Sequence, residues 1–165
     1  MLKHVLTMFT MLFLFLTNAD IAVSASKCEF FAKADVGILE FTGTGCTITG
    51  KPKVDGGKVT GEFTVDVGSL DAGLRTKHMR EKYLETAKYP KATLKLDPMP
   101  EAGGDFTGKL TLHGVEKPIK GKAEKTGGGW SFKFDVKTSE FGIAKAGYEG
   151  IEIADTIAVS GTIDR

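Results

Sequence analysis

The chain has 165 residues, which suits one domain, and it is 41% hydrophobic and 26% charged; that balance excludes a disordered chain. Its formal net charge is +1, so no basic excess is available to neutralise phosphates and no nucleic-acid partner is expected. Twenty-one glycines stand beside five prolines and cluster where turns are expected, a composition that points to many short strands in a sandwich or barrel.

The first residues read as a secretory signal peptide: a basic start at Lys3, an apolar run over residues 5–16, and the small-residue end Val23-Ser24-Ala25. The apolar run is far short of the ~20 residues that span a bilayer. Cleavage after Ala25 is expected, leaving residues 26–165 as a periplasmic or secreted domain with no transmembrane segment. Lipidation of Cys28 is disfavoured, because Lys27 stands where that signal needs a small residue. Cys28 and Cys46 both survive cleavage. An even count in an exported chain favours a disulfide, and their spacing fits neither a zinc site nor a redox pair.

Residues 28–34 and 38–41 read as a first hairpin around Asp35-Val36-Gly37, and 47–54 as a weaker strand interrupted by Gly50 and Pro52. Asp55-Gly56-Gly57 is a strong turn signal before the next strand. There Phe63, Val65 and Val67 alternate with polar neighbours. A charged segment over 75–87, with Met79, Tyr83 and Ala87 spaced by four, predicts a helix that Tyr89-Pro90 stops. Ala92, Leu94 and Leu96 resume the alternation. Turns are then expected at Gly103-Gly104, Gly114-Val115-Glu116 and 127–129. Between them Phe106, Gly108, Leu110 and Leu112 share one face. So do Ile119, Gly121 and Ala123, then Trp130, Phe132, Phe134 and Val136, and last Ile157, Val159, Gly161 and Ile163. Short connections make neighbours antiparallel. About eight such strands bury their apolar faces most simply by closing into an all-β, up-and-down barrel with one short helix. A two-sheet sandwich has the same periodicity. Residues 139–155 read as a loop packed over one barrel mouth, because a long loop rich in aromatics is not disordered.

Three segments carry a resemblance. Ser69-Leu70-Asp71-Ala72-Gly73, Arg75, the run His78-Met79-Arg80-Glu81-Lys82-Tyr83-Leu84 and Tyr89-Pro90 form the first; Leu112-His113-Gly114-Val115 with Lys117-Pro118 forms the second; Ser139-Glu140-Phe141-Gly142-Ile143 forms the third. In this order they resemble the YceI-like family of lipocalin-like, exported bacterial proteins that bind polyisoprenoids or other long-chain amphiphiles. The chain departs from the family pattern at Thr76, where many members carry an acid. The resemblance implies a barrel holding a polyisoprenoid or fatty amphiphile, for transport, storage or sequestration.

No catalytic set is legible. His78 and His113 lack a second ligand at metal spacing, and there is no nucleophile elbow or phosphate loop. Asp71, Glu81 and Glu85 read as solvated partners of Arg80, Lys82 and Lys88 on a charged helix. No metal, no cofactor and no enzymatic activity are expected. A closed eight-stranded interior is either filled or holds one ligand, and alternation does not choose; small inward residues (Gly108, Gly121, Ala123, Gly161) between large ones leave room for a cavity. If a ligand lies inside, the shared inward face makes Phe63, Val65, Val67, Leu94, Leu96, Phe106, Leu110, Leu112, Trp130, Phe132 and Phe134 its candidate contacts. His78, Met79, Tyr83 and Phe141 are the candidates at the mouth. The competing readings are a filled barrel acting through its surface or long loop, and an enzyme using His78. No exposed apolar stripe demands a dimer, and a homodimer stays open.

Overall fold

Side chains that alternate along a strand give each strand one apolar face, and a sheet of such strands hides that face by rolling up. The computed structural model describes residues 26–33, 40–148 and 151–164. The signal-like segment 1–25 and the expected Asp35-Val36-Gly37 turn lie outside the described residues. The strands are β1 (Ser26–Lys33), β2 (Glu40–Asp55), β3 (Lys58–Asp66), β4 (Lys91–Pro100), β5 (Gly103–Leu112), β6 (Val115–Lys125), β7 (Gly129–Lys137), β8 (Gly147–Tyr148), β9 (Ile151–Glu152) and β10 (Thr156–Asp164). Eight of them close a barrel in the order β1-β10-β7-β6-β5-β4-β3-β2, and β8 pairs with β9 outside it. Every pairing is antiparallel. β1 closes the ring by pairing with β10 on one side and β2 on the other, which rules out the sandwich.

Three sequence expectations need local correction. Residues 40–41 of the strand expected at 38–41 and all of the one expected at 47–54 belong to a single strand, β2, whose ladder to β3 runs through Gly50 and Pro52, with Gly61 opposite the proline. The turn expected at Gly114-Val115-Glu116 is His113-Gly114, both left-handed (φ 51° and 75°), and Val115 already pairs with Leu112. Likewise the residues that turn β4 into β5 are Glu101 and Ala102, and Gly103 opens β5.

The expected helix is also shorter. A 3-10 turn (Gly73–Arg75) leads into α1 (Thr76–His78) and a π-helical turn (Met79–Tyr83). Leu84 N–H donates to the Met79 carbonyl at 2.9 Å, and Glu85 then takes a left-handed φ of 44°. Glu85 thus ends the helix ahead of Tyr89-Pro90, and its side chain is held by His113 Nε2 at 2.7 Å. A tertiary partner, invisible to local propensity, sets the boundary.

Cys28 and Cys46 lie opposite each other across β1 and β2 and form a disulfide with Cα atoms 5.5 Å apart. With a sequence separation of 18, the loop-entropy argument gives the crosslink roughly 3 kcal/mol.

The interior divides by height. At the end carrying the β2–β3, β4–β5 and β6–β7 turns, a floor is packed from Val59, Leu96, Met99, Phe106, Ala123, Trp130 and Ile163, with Phe63 and Phe132 at its upper edge. Trp130, 1% exposed, donates from Nε1 to the Glu101 carbonyl at 2.9 Å. Of the inward glycines, Gly108 and Gly121 serve packing and do not make empty space, whereas Gly161 lines the cavity above. A Cβ on Gly108 would stand 2.5 Å from the Lys95 carbonyl, and one on Gly121 would stand 2.7 Å from Phe134 Cβ and 2.8 Å from Phe106 Cε1. Neighbouring rings and backbone already occupy those positions.

Candidate functional site

Above the floor the barrel is hollow. A cavity of about 760 Å³ opens at the end where the helix and the long loop lie. β3 contributes Phe63 and Val65; β4 contributes Ala92 and Leu94; β5 contributes Leu110 and Leu112; β7 contributes Phe132, Phe134 and Val136. β1, β2 and β10 close the ring with Phe30, Ile48, Ile157 and Val159, and Val67 follows β3 at the rim. Apolar side chains arrive together here because each is an inward position of its strand. Among the described residues, Arg75 and His78 are the only basic side chains in the lining, both at the mouth, and no carboxylate is in it. A chamber of this kind suits a long apolar molecule whose polar end stays near the opening.

Two elements form the mouth. The helix segment supplies His78, Met79 and Tyr83, with the His78 and Tyr83 rings edge to face at 5.3 Å. The loop between β7 and β10 supplies Ile143, Ala144, Ala146, Gly147 and Ile153. Tyr83 joins the two: its hydroxyl donates to the Gly147 carbonyl at 3.3 Å and accepts from the Gly147 N–H at 3.2 Å. His113 makes a second tie, with Nε2 2.7 Å from Glu85 Oε2 and Nδ1 3.3 Å from the Phe141 carbonyl oxygen. Its ring also packs on Tyr89 at 4.3 Å between centroids. His113 is therefore a structural turn residue, and Glu85 is its partner as well as an exposed charge beside Lys88. Arg80 and Asp71 interact through charge as expected, and each also has hydrogen-bond partners that the sequence did not show. The Arg80 guanidinium donates to the Leu70 carbonyl at 3.1 and 2.7 Å. Asp71 accepts from the Thr76 hydroxyl and the Gly73 N–H, both at 2.7 Å. Thr76, the departure from the family pattern, thus has a structural task of its own.

The loop is clasped at its root by Asp155. Its carboxylate accepts from the Ser139 hydroxyl (2.5 Å), the Ser139 N–H (2.8 Å) and the Thr138 hydroxyl (2.9 Å). These bonds, the Ser139 hydroxyl foremost, and the charge of Lys137 hold the Asp155 carboxyl below the usual carboxylate range against its partial burial. The ionised form is the one folding favours. The clasp is therefore complete above the unfolded value of about 3.9, and it is lost as pH falls through the lower folded value. Amide protection at Thr138 and Ser139, taken relative to the intrinsic exchange rate at each pH, should fall in wild type only in acid, and in Asp155→Ala already at neutral pH. Unchanged protection in the variant would show that the clasp does not hold the loop.

Of the residues expected from sequence, Phe63, Val65, Val67, His78, Met79, Tyr83, Leu94, Leu110, Leu112, Phe132 and Phe134 line the cavity. Leu96, Phe106 and Trp130 do not; they lie in the floor. Phe141 is also absent from the lining, buried at 2% against Leu110, Val136 and Ile143. The rim residues Leu70, Ala72, Leu74 and Arg75 escaped sequence reasoning, since no periodicity marks them. Ile157, Val159 and Ile163 carried the alternation that could have found them.

A second depression of about 540 Å³ lies on the outer wall over Gly50 and Gly61, among Lys51, Lys53, Glu62 and Lys95, open to solvent. Among the described residues, no group of three or more His, Cys, Asp or Glu could hold a metal, and no helix is long and apolar enough to cross a membrane.

The family model of the YceI-like domain matches residues 20–164. The chain belongs to the YceI-like family. It is similar to a UPF0312 protein of Vibrio parahaemolyticus, at 38% identity over 100 residues, 55% of this chain and 49% of that protein. It is also similar to protein YceI of Escherichia coli, at 41% identity over 71 residues, 40% of this chain and 37% of that protein. The chain thus spans half or less of the length of these curated relatives. Among solved structures, Burkholderia cenocepacia BcnA shares the fold with a TM-score of 0.65 at 20% identity, over 84% of this chain and 94% of that one. A polyisoprenoid binding domain from Saccharophagus degradans does so with a TM-score of 0.59 at 17% identity, over 86% and 95%.

Proposed function

We propose that this YceI-like chain is an exported binding protein that holds one polyisoprenoid or other long-chain amphiphile in its barrel, for transport, storage or sequestration. The observation that carries the reading is the cavity: about 760 Å³, apolar along its walls, closed at the floor, with Arg75 and His78 at the mouth. The name of the Saccharophagus neighbour, a polyisoprenoid binding domain, supports the same ligand class. In this reading the tail lies along Phe63, Val65, Leu94, Leu110, Leu112, Phe132 and Phe134, and the polar end sits by His78 and Tyr83. A lining this apolar supports a binding role. Native mass spectrometry of protein purified from its own host tests the reading. A co-purifying lipid is the expected result. An apo mass, together with no uptake of added isoprenoid, would overturn it.

Export rests on the signal-like first 25 residues. Intact-mass measurement of the exported protein should find Ser26 at its start; a species retaining Met1 would remove periplasmic or secreted location from the proposal.

A further inference from the structure

We propose that the tip formed by residues 71–78 is a docking element for an anionic bilayer surface, placed so that the cavity can exchange its chain with that bilayer; this rests on the lipid-binding reading above. Leu74 is the starting observation. Its side chain stands fully in solvent, at 103% relative exposure, the only large hydrophobic so exposed among the described residues. The tip is also built to hold it there. Gly73 takes a left-handed φ of 61°, and the turn it permits sends Ala72 inward, where it is buried, and Leu74 outward. Backbone bonds of 2.8 Å in both directions between Thr44 and Asp71 fix the base of the tip. Asp71 accepts from Gly73 N–H and Thr76 Oγ1, and Thr76 Oγ1 accepts from Ala72 N–H at 2.8 Å. The exposure of Leu74 therefore belongs to an ordered, hydrogen-bonded loop and not to a frayed one.

Charge and position identify the occupant. Arg75, Lys77 and Lys82 are exposed on the same segment, and of the two acids there, Asp71 is folded back onto Thr76 and Gly73 while Glu81 faces solvent. An exposed apolar side chain on a segment that carries several exposed cations is the pattern that seats on anionic headgroups. A protein partner needs about 800 Å² of matched surface, which one leucine among flexible basic side chains does not offer, whereas a bilayer accepts a single wedge. Leu74 and Arg75 also belong to the cavity rim. A bilayer touching the tip therefore touches the opening, and an apolar chain can pass between them without crossing water.

The test is vesicle flotation of the purified protein with no isoprenoid added. Wild type should float with phosphatidylethanolamine–phosphatidylglycerol vesicles, less so with phosphatidylcholine alone, and less as salt is raised. Leu74→Ser should lower partitioning roughly tenfold or more, the worth of one buried leucine. Lys77→Glu should lower it at least about fivefold, since each cation near the surface counts for that much. Lys77 is not in the cavity lining, so Lys77→Glu should still take up isoprenoid dispersed in detergent as wild type does. Far-UV circular dichroism checks that both variants are folded. Wild type that stays with the pellet, or Leu74→Ser that floats as well as wild type, would overturn the docking element. Uptake from detergent without flotation overturns it and leaves lipid binding standing; flotation without any uptake does the reverse. A dimer that Leu74→Ser dissolves in sedimentation would make a second copy the occupant and overturn the proposal.

Discussion

Affinity for linear isoprenoids should climb roughly fourfold with each added methylene-sized group, the equivalent of about 0.8 kcal/mol of burial, and then level off. Short chains gain too little to offset the 4–15 kcal/mol or so that association costs. The ceiling follows from the chamber. At about 30 Å³ for a group the size of a water, 760 Å³ holds on the order of twenty-five groups. The floor stops the chain there, and further carbons must stay in the open mouth, so affinity should flatten and not fall. Filling the chamber from its walls should abolish the gain. Val65→Trp with Val159→Trp places two indoles where the tail would lie. If each displaces about two methylenes, the loss is about 3 kcal/mol, or more than a hundredfold in Kd. Titration of graded isoprenoids against wild type and the double variant is the measurement. Equal affinity for short and long chains, or full binding by the folded double variant, would place the ligand outside the barrel. Gly108→Leu is not a usable filling variant, because its first added carbon would meet the Lys95 carbonyl at 2.5 Å.

Trp130→Ala should cost about 4 kcal/mol of stability and lower Tm by roughly 10–15 °C. The indole fills the floor at 1% exposure, and its Nε1–H is bonded to the Glu101 carbonyl. Truncation leaves a void among Val59, Met99, Phe106 and Ile163 and takes a donor from that carbonyl. Trp130→Phe keeps most of the buried area and removes the hydrogen bond, so it should cost far less, on the order of 1 kcal/mol for the bond plus a modest packing loss. Urea denaturation of the two variants separates the contributions. Equal, small losses would mean that the floor is not the stabilising end of the barrel.

The amino-acid sequence by itself determined the strands, their antiparallel order and which side chains point inward. Alternation is a local, period-two property, and short glycine turns leave a chain of this kind little choice but to pair neighbours. Phe63, Val65, Leu94, Leu110, Leu112, Phe132 and Phe134 were legible as one face for that reason. The cysteine pair was legible from its number and its exported context. Height along the barrel axis was not. Leu96, Phe106 and Trp130 carry the same inward signal as the cavity residues, yet they form the floor. Their depth depends on the register of each strand against the next and on the stagger of the closed sheet, quantities no single strand encodes. Gly108 and Gly121 show the same limit. Their lack of a side chain was visible, but whether the space went to a ligand or to a neighbour was settled by Lys95, Phe106 and Phe134 from other strands. At the mouth, the end of the helix at Glu85 and the exposure of Leu74 likewise depend on distant partners: His113 holds Glu85, and Thr44 holds the base of the tip. Contacts between residues far apart in the chain cannot be read from local pattern, and in this protein they decide where the barrel is filled, where it is hollow and what it presents at its opening.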